Sequence, residues 1–255
     1  MFSRHIQLWL TVAAVALAFA MSAAPAGANH SWGGYHWARQ SNPFTVTLGD
    51  NMSSAWDSYL VAASNDWSLN GSGTTPNPLN TSISAGLTTG RKCRAQSGRV
   101  EACNANYGYN GWLGLASIWI SGSHITQGTV KLNDSYFNTS TYNTPGWRRS
   151  VTCQEVGHTF GLDHQSEDRN VDRDTCMDYY RVPNPSPNQH DYDQLALIYS
   201  HLDSSTTLRA SATKGRGLKK VKDSLYVEDL GNGKRRYVWV FWTNRRIPHG
   251  PPNEG

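Results

Sequence analysis

Spacings of apolar side chains divide the first part of the chain into strands and a helix. Residues 44–48 alternate between apolar and polar types, which predicts a strand. Between residues 51 and 69, apolar side chains recur every three or four positions, which predicts an amphipathic helix. Residues 70–80 are rich in Gly, Thr, Pro and Asn and predict a loop, followed by a strand at about 80–87.

The rest of the chain contains two hairpin patterns and two further helices. Two β-rich runs, 112–121 and 125–133, are separated by a short turn and predict a hairpin. A second hairpin is predicted over 225–242, around the sequence Gly-Asn-Gly. Helices are predicted at about 150–160 and 188–202. Helices and strands together predict the α+β class.

The first residues read as an export signal. A short basic start precedes the mostly apolar run 6–21, and small residues ending in Ala-Gly-Ala follow it. This order predicts a signal peptide over 1–28, cleaved after an A-x-A site. A membrane anchor is the alternative, but the apolar run is short for one, and no later segment is apolar for long enough. We therefore expect a secreted, extracellular protein without a membrane span.

Charge and composition divide the exported part into three regions. We expect a single domain over 29–202, a linker rich in Ser, Thr, Gly, Lys and Arg over 203–224, and a basic hairpin-like tail over 225–255. Residues 205–255 carry a net charge of +7, whereas the whole chain carries +4. The tail could hold a monomeric protein on an extracellular polyanion, or it could be a plain soluble extension. Intracellular nucleic acid is not an expected partner, because the mature protein is expected outside the cell.

Four cysteines in an exported chain are expected to form disulfides. We pair Cys93 with Cys103 and Cys153 with Cys176, in chain order, although sequence leaves the other two connectivities open. Cys153 could instead bind a metal. On a helix it would lie about 100° around the axis from residue 154, and it would therefore face elsewhere.

The chemistry of the chain is concentrated in the run CQEVGHTFGLDH, which begins at Cys153. Gln154 and His158 are four residues apart, so a helix presents both side chains on one face. Gly161 can end the helix in a left-handed conformation and allow His164 to turn back toward the same face. Glu155 lies beside this group as a candidate base. The spacing therefore predicts a metal site with an adjacent carboxylate.

The run is similar to the metzincin motif H-E-x-x-H-x-x-G-x-x-H, with Gln154 in place of the first histidine. Downstream, the sequence TCMDY at 175–179 resembles the Met-turn of that clan. Over about residues 30–202 the chain resembles the matrixin-type catalytic domain of metzincin zinc metallopeptidases. This resemblance implies a metzincin-like zincin fold, with a small mixed sheet, an active-site helix and a C-terminal helix, followed here by the basic extension.

The resemblance also implies roles for individual residues. Zinc would be held by Gln154, His158 and His164, and Glu155 would be the general base that takes a proton from a metal-activated water. Met177 would form an apolar floor beneath the metal.

Two further roles follow from the same resemblance. Tyr179 matches the position of a tyrosine that stabilises the transition state in some relatives, although packing of the pocket wall is an equal alternative. Residues 112–120 would form the edge strand to which an extended peptide substrate adds.

Gln154 leaves three alternatives open for the metal. Its amide oxygen may be a weak ligand, since glutamine is a poorer donor to zinc than imidazole. Another side chain could replace it, and His124 and Asp163 are the candidates, although Asp163 should face away. Alternatively, the site binds no catalytic zinc.

Two functions follow from these alternatives. The first is a secreted zinc-dependent endopeptidase acting on extracellular proteins or peptides, which the presence of Glu155 favours. The alternative is a catalytically impaired peptidase-fold protein that binds peptides or proteins, which Gln154 favours. A weaker expectation is calcium at Asp168, Asp172 and Asp174, whose spacing matches no calcium loop.

Overall fold

A computed structural model describes residues 29–68, 73, 75–207, 215–243 and 250–255. The predicted signal peptide, 1–28, lies outside the described residues. The described part is a mixed α+β protein with one large sheet and few helices, so the expected class is confirmed. None of the described helices is long and apolar enough to cross a membrane.

The described residues form nine strands and four helices. The strands are β1 (His36–Trp37), β2 (Phe44–Asn51), β3 (Leu79–Ala85), β4 (Val100–Ala105), β5 (Trp112–Ser121), β6 (His124–Asn133), β7 (Lys219–Lys222), β8 (Leu225–Gly231) and β9 (Lys234–Trp242). The helices are α1 (Asp57–Trp67), α2 (Asp134–Phe137), α3 (Pro145–His158) and α4 (Gln189–Ile198). Both predicted hairpins, β5–β6 and β8–β9, are confirmed as antiparallel pairs.

The strands follow the order β3-β2-β4-β6-β5-β9-β8-β7 across one mixed sheet, and β1 pairs with the start of β6. Strands β2, β3, β4 and β6 are mutually parallel, whereas β5, β9, β8 and β7 are paired antiparallel. The prediction of a small sheet was wrong. The sheet is larger because the strands beyond residue 203 join it through β5.

Helix α3 presents the motif, and both of its ends have local causes. Thr144 caps the start, where its hydroxyl accepts a hydrogen bond from the backbone of Trp147 at 3.3 Å, and Pro145 suits the first turn. The chain leaves the helix through Gly161, whose φ is +95°. A Cβ there would lie 2.0 Å from the carbonyl oxygen of Tyr35, so glycine is required.

Buried contacts hold α3 between the sheet and the segment that follows it. The indole of Trp67, on α1, donates to the carbonyl of Cys153 at 2.9 Å. Both expected disulfides are present, Cys93–Cys103 and Cys153–Cys176. The second joins α3 to the segment around Met177. Two disulfides are consistent with an oxidising compartment such as the cell exterior.

Candidate metal and peptidase site

The last residue of α3, His158, is fully buried, and its tautomer is set by the backbone. Its Nδ1 lies 2.9 Å from the carbonyl oxygen of Leu162. Because a carbonyl can only accept, Nδ1 carries the proton, and the Nε2 of the neutral ring is an unprotonated acceptor. Burial, together with the nearby His164, lowers the pKa of His158 well below its usual value, so the neutral ring is favoured.

His164 is oriented in the same way by a carboxylate. Its Nδ1 lies 3.2 Å from Oε1 of Glu167. The same oxygen accepts a hydrogen bond from the hydroxyl of Ser224 and forms an ion pair with the ammonium of Lys222. Burial raises the pKa of Glu167, but His164, Ser224 and Lys222 together lower it well below the usual range. The ionised carboxylate accepts a hydrogen bond from Nδ1–H, so in the neutral ring Nε2 of His164 is an acceptor. Sequence reasoning missed Glu167, although its place three residues after His164 was a usable signal.

These two rings make a site that fits a metal ion. The Nε2 atoms of His158 and His164 lie 3.0 Å apart. Two unprotonated nitrogens at this distance repel each other unless a proton or a cation lies between them. Metal-binding histidines have the same arrangement, in which the second ring nitrogen donates to a carbonyl or a carboxylate. The chemistry of the pair suits zinc, which prefers imidazole nitrogen.

Gln154 is also buried, and the two ends of its amide have different surroundings. Nε2 donates to the carbonyls of Cys176 at 2.6 Å and Asp178 at 2.9 Å. This pair of acceptors fixes the amide orientation, because the reverse would set oxygen against oxygen. Oε1 has no hydrogen-bond partner among the described residues. A buried acceptor without a partner is costly, and a metal ion is one way to satisfy it.

Glu155 is fully buried beside strand β5. Burial raises the pKa of its carboxyl group well above the usual value, and neither carboxyl oxygen has a hydrogen-bond partner among the described residues. Space for the carboxyl group depends on Gly114. A Cβ there would lie 2.5 Å from Oε1 of Glu155 and 2.7 Å from Cγ1 of Val151.

Met177 and Tyr179 both line the buried surroundings of the histidines. A Cβ on Gly157 would lie 2.7 Å from Sδ of Met177, so the thioether packs against the last turn of α3. The ring of Tyr179 meets that of His164 edge-on, with centroids 4.7 Å apart. The Tyr179 hydroxyl donates to the carbonyl of Val240 and is therefore directed toward β9.

Strand β9 covers the site. Trp239 stacks on His158 with centroids 5.1 Å apart and ring planes 13° apart, and Phe241 stacks on Tyr179. Residues 112–120 were expected to be an open edge strand. That expectation was wrong, because β5 pairs with β6 on one side and with β9 on the other. The place expected for a peptide is occupied by the chain's own C-terminal hairpin.

Of the substitute ligands considered for Gln154, Asp163 lies beside His164 and Glu167, with its ligand atom within 4.8 Å of theirs, whereas His124 lies elsewhere. Asp163 binds the ammonium of Lys222 through both oxygens at 2.8 Å and accepts from the indole of Trp239 at 3.3 Å. The Nε2 of His124 lies 3.1 Å from Oδ1 of Asp203, in a different cluster.

The acidic residues considered for calcium do not form a site in the described part of the chain. There, Asp168, Asp172 and Asp174 do not share a group of three close ligand atoms. The carboxylates of Asp168 and Asp172 instead accept from the backbone two residues later.

Comparisons with known proteins do not assign the chain. No protein-family model matches it, and no curated protein matches it either. The functional conclusion therefore depends on the geometry of the site.

Proposed function

We propose that this protein is a secreted zinc-dependent endopeptidase whose own C-terminal hairpin keeps it latent. The observation that carries the proposal is the 3.0 Å approach of the Nε2 atoms of His158 and His164, whose Nδ1 atoms face a carbonyl and a carboxylate, with the buried Glu155 three residues before His158 on α3. When bound, zinc would supply Lewis-acid catalysis, which polarises a carbonyl group and makes water a nucleophile near neutral pH.

The protein's own residues would then position and move protons. His158 and His164 hold the ion, and their Nδ1 atoms stay protonated on Leu162 and Glu167. The unpartnered Oε1 of Gln154 is the candidate for a third ligand. Glu155 would accept the proton of the attacking water and pass it to the leaving amine; because burial raises its pKa, this role requires the bound cation to hold the carboxyl group ionised.

Latency follows from the pairing of β9 with β5. A substrate that binds as an added strand needs the free edge of β5, and β9 holds that edge from Trp112 to Ser121. Lys222 anchors the hairpin beside the motif through Asp163 and Glu167. The hairpin must leave, or be cut, before an extended peptide can reach Glu155.

Metal content and peptide cleavage test the proposal together. The mature protein should contain zinc and cleave unstructured peptides, weakly in the latent form. Replacement of Glu155 by Ala should lower kcat/KM by about 10²–10⁴-fold while zinc content and circular dichroism stay unchanged. A wild-type protein without zinc, or cleavage that survives Glu155→Ala, would overturn it.

A peptide-binding protein without catalysis is the second candidate, and Gln154 is the observation that favours it. The Nε2 of this side chain donates hydrogen bonds to the backbone carbonyls of Cys176 and Asp178. A glutamine with a purely structural role would make the same hydrogen bonds. This candidate requires peptide binding without turnover when zinc is supplied. Proteolysis that a chelator stops would exclude it.

A further inference from the structure

A second cluster of metal-binding side chains lies outside the motif. It brings together His36 on β1, His124 at the start of β6, and His201 and Asp203 after α4. Oδ1 of Asp203 lies 3.3 Å from Nε2 of His36, 3.1 Å from Nε2 of His124 and 3.7 Å from Nε2 of His201. The Nε2 atoms of His36 and His201 are 3.2 Å apart. The ligand atoms of His36, His201 and Asp203 therefore lie within 4.8 Å of one another, and His124 contacts the same oxygen of Asp203 from outside this group.

The backbone fixes the tautomer of His36 in this cluster. Its Nδ1 lies 2.7 Å from the carbonyl oxygen of Gly34, so Nδ1 carries the proton and donates it. The Nε2 of the neutral ring then carries a lone pair, which faces Oδ1 of Asp203 and Nε2 of His201. Facing acceptors of this kind need a cation or an extra proton between them. A carbonyl on the second ring nitrogen is also the usual support of a metal-binding histidine.

Asp203 is prepared for the same role by Arg39. The backbone N–H of Arg39 and its guanidinium contact Oδ2 at 3.2 and 3.0 Å. These bonds hold the carboxylate in one orientation and leave Oδ1 directed at the histidines. Ligating carboxylates in metal sites are held in this way by hydrogen bonds to the other oxygen.

The distances among His36, His201 and Asp203 agree with three ligands of a tetrahedral ion. Zinc bonds of about 2.0–2.2 Å place neighbouring ligand atoms roughly 3.3–3.6 Å apart in a tetrahedron. The three contacts measure 3.2, 3.3 and 3.7 Å. Imidazole with one carboxylate suits zinc better than calcium or magnesium, which prefer oxygen throughout.

We propose that His36, His124, His201 and Asp203 bind a second, structural zinc ion. His36, His201 and Asp203 form its centre, and His124, which now contacts Oδ1 of Asp203, would turn its Nε2 to the ion as the fourth ligand. Four protein ligands close the coordination sphere, which is typical of a structural rather than a catalytic ion. The ion would tie the first described strand to β6 and to the segment after α4. This proposal does not depend on the peptidase proposal.

Zinc stoichiometry of the mature full-length chain tests the site. His201→Ala is the informative variant, because this side chain is half exposed and its loss should not prevent folding. His190→Ala is the matched control, a histidine on α4 outside the cluster. We expect two zinc ions per chain in wild type and His190→Ala, and one in His201→Ala. Equal zinc content in wild type and His201→Ala would overturn the proposal.

The two zinc sites are separated by a second comparison. A chain carrying both His158→Ala and His164→Ala should keep the ion of the cluster, and adding His201→Ala should remove it. If the motif variant does not fold, cobalt loading of wild type and His201→Ala replaces this arm, with a fall from two ions to one expected. A wild type that holds one ion, lost in His201→Ala, would refute the peptidase proposal and leave this one standing. Equal cobalt content in wild type and His201→Ala would refute the proposal of a metal site in the cluster.

Discussion

At the scale of single residues, the amide of Gln154 links the motif helix to the Met-turn segment. Its Nε2 satisfies two buried carbonyls, of Cys176 and Asp178, that a histidine could not serve together. This use of the side chain gives position 154 a structural role that a neutral imidazole, with one donor, could not fill. The free Oε1 leaves metal binding open to the same residue.

Two substitutions separate the structural role of Gln154 from its metal role. Gln154→Leu removes both ends of the amide, whereas Gln154→Glu keeps an oxygen but loses the donor. With chelator present, both should lower the free energy of unfolding by about 2–4 kcal/mol, since buried carbonyls lose their donor. Zinc affinity should fall in Gln154→Leu and persist in Gln154→Glu. Equal zinc affinities in titration would contradict a role for Oε1.

Gly114 should control the position of the Glu155 carboxyl group, the proposed general base. In Gly114→Ala the new methyl group would collide with Glu155 and Val151, so the carboxyl group must move. We expect kcat/KM for a peptide to fall by about 10²-fold, with the fold retained. Gly146→Ala is the control on α3, because the nearest atom to its Cβ is Pro183 at 3.4 Å. Unchanged cleavage by Gly114→Ala would show that Glu155 is not the base.

Sequence spacing predicts much of this site but not its surroundings. The positions of Glu155, His158 and His164 follow from helical spacing and the break at Gly161, which are local properties. The partners Glu167 and Lys222 are different, because Lys222 reaches the motif only through a strand pairing far along the chain. Spacing along one segment contains no information about such a contact.

At the scale of elements, strands that flank a turn signal were predicted, and a parallel strand without one was not. Both predicted hairpins carry a clear turn, and both are present. Strand β4 was not predicted. It is parallel to both neighbours and buried over nearly its whole length, so it has no polar face to give a period of two.

Lys222 should regulate access to β5. In Lys222→Ala, β7, which pairs with the hairpin, loses its contacts with Asp163 and Glu167, a loss of about 1 kcal/mol for a half-buried pair, while Trp239 of β9 keeps its contact with Asp163. The open population, and with it peptide cleavage, should rise about fivefold. Lys220→Ala is the matched control, because Lys220 pairs with Asp223 at the surface. Equal activity of the two variants would contradict anchoring by Lys222.

Locking the hairpin should have the opposite effect. Ser121 and Lys234 are directly opposed on β5 and β9, so cysteines at both positions lie within the range of a disulfide. The oxidised Ser121→Cys/Lys234→Cys protein should lose the residual cleavage of wild type, and a mild reductant should restore it. Wild type in the same reductant is the control. Full activity of the oxidised protein would show that β9 does not block the site.

At the scale of the whole molecule, the basic tail is part of the sheet and its charges are partly used there. Lys222 contacts Asp163 and Glu167, and Arg236 contacts Glu228 and Glu254. Composition predicted a basic surface but could not show that strands of the tail extend the main sheet. Binding to an extracellular polyanion stays a prediction that depends on the remaining cations of the tail.

Two features of the whole molecule must be explained together: strand β9 covers the two histidines, and Gln154 stands where the motif has its first histidine. The fold brings His158 and His164 together one turn from Glu155, and the chain's own hairpin pairs with the strand to which a peptide would add. The proposed latent zinc endopeptidase would account for both features.

Zinc reconstitution of the Lys222→Ala protein tests this claim most directly. After removal of metal by a chelator, peptide cleavage should disappear and return in proportion to added zinc. A protein carrying Glu155→Ala as well should bind the same amount of zinc and remain inactive. Cleavage that persists without metal, or equal cleavage by the two zinc-loaded proteins, would contradict the account.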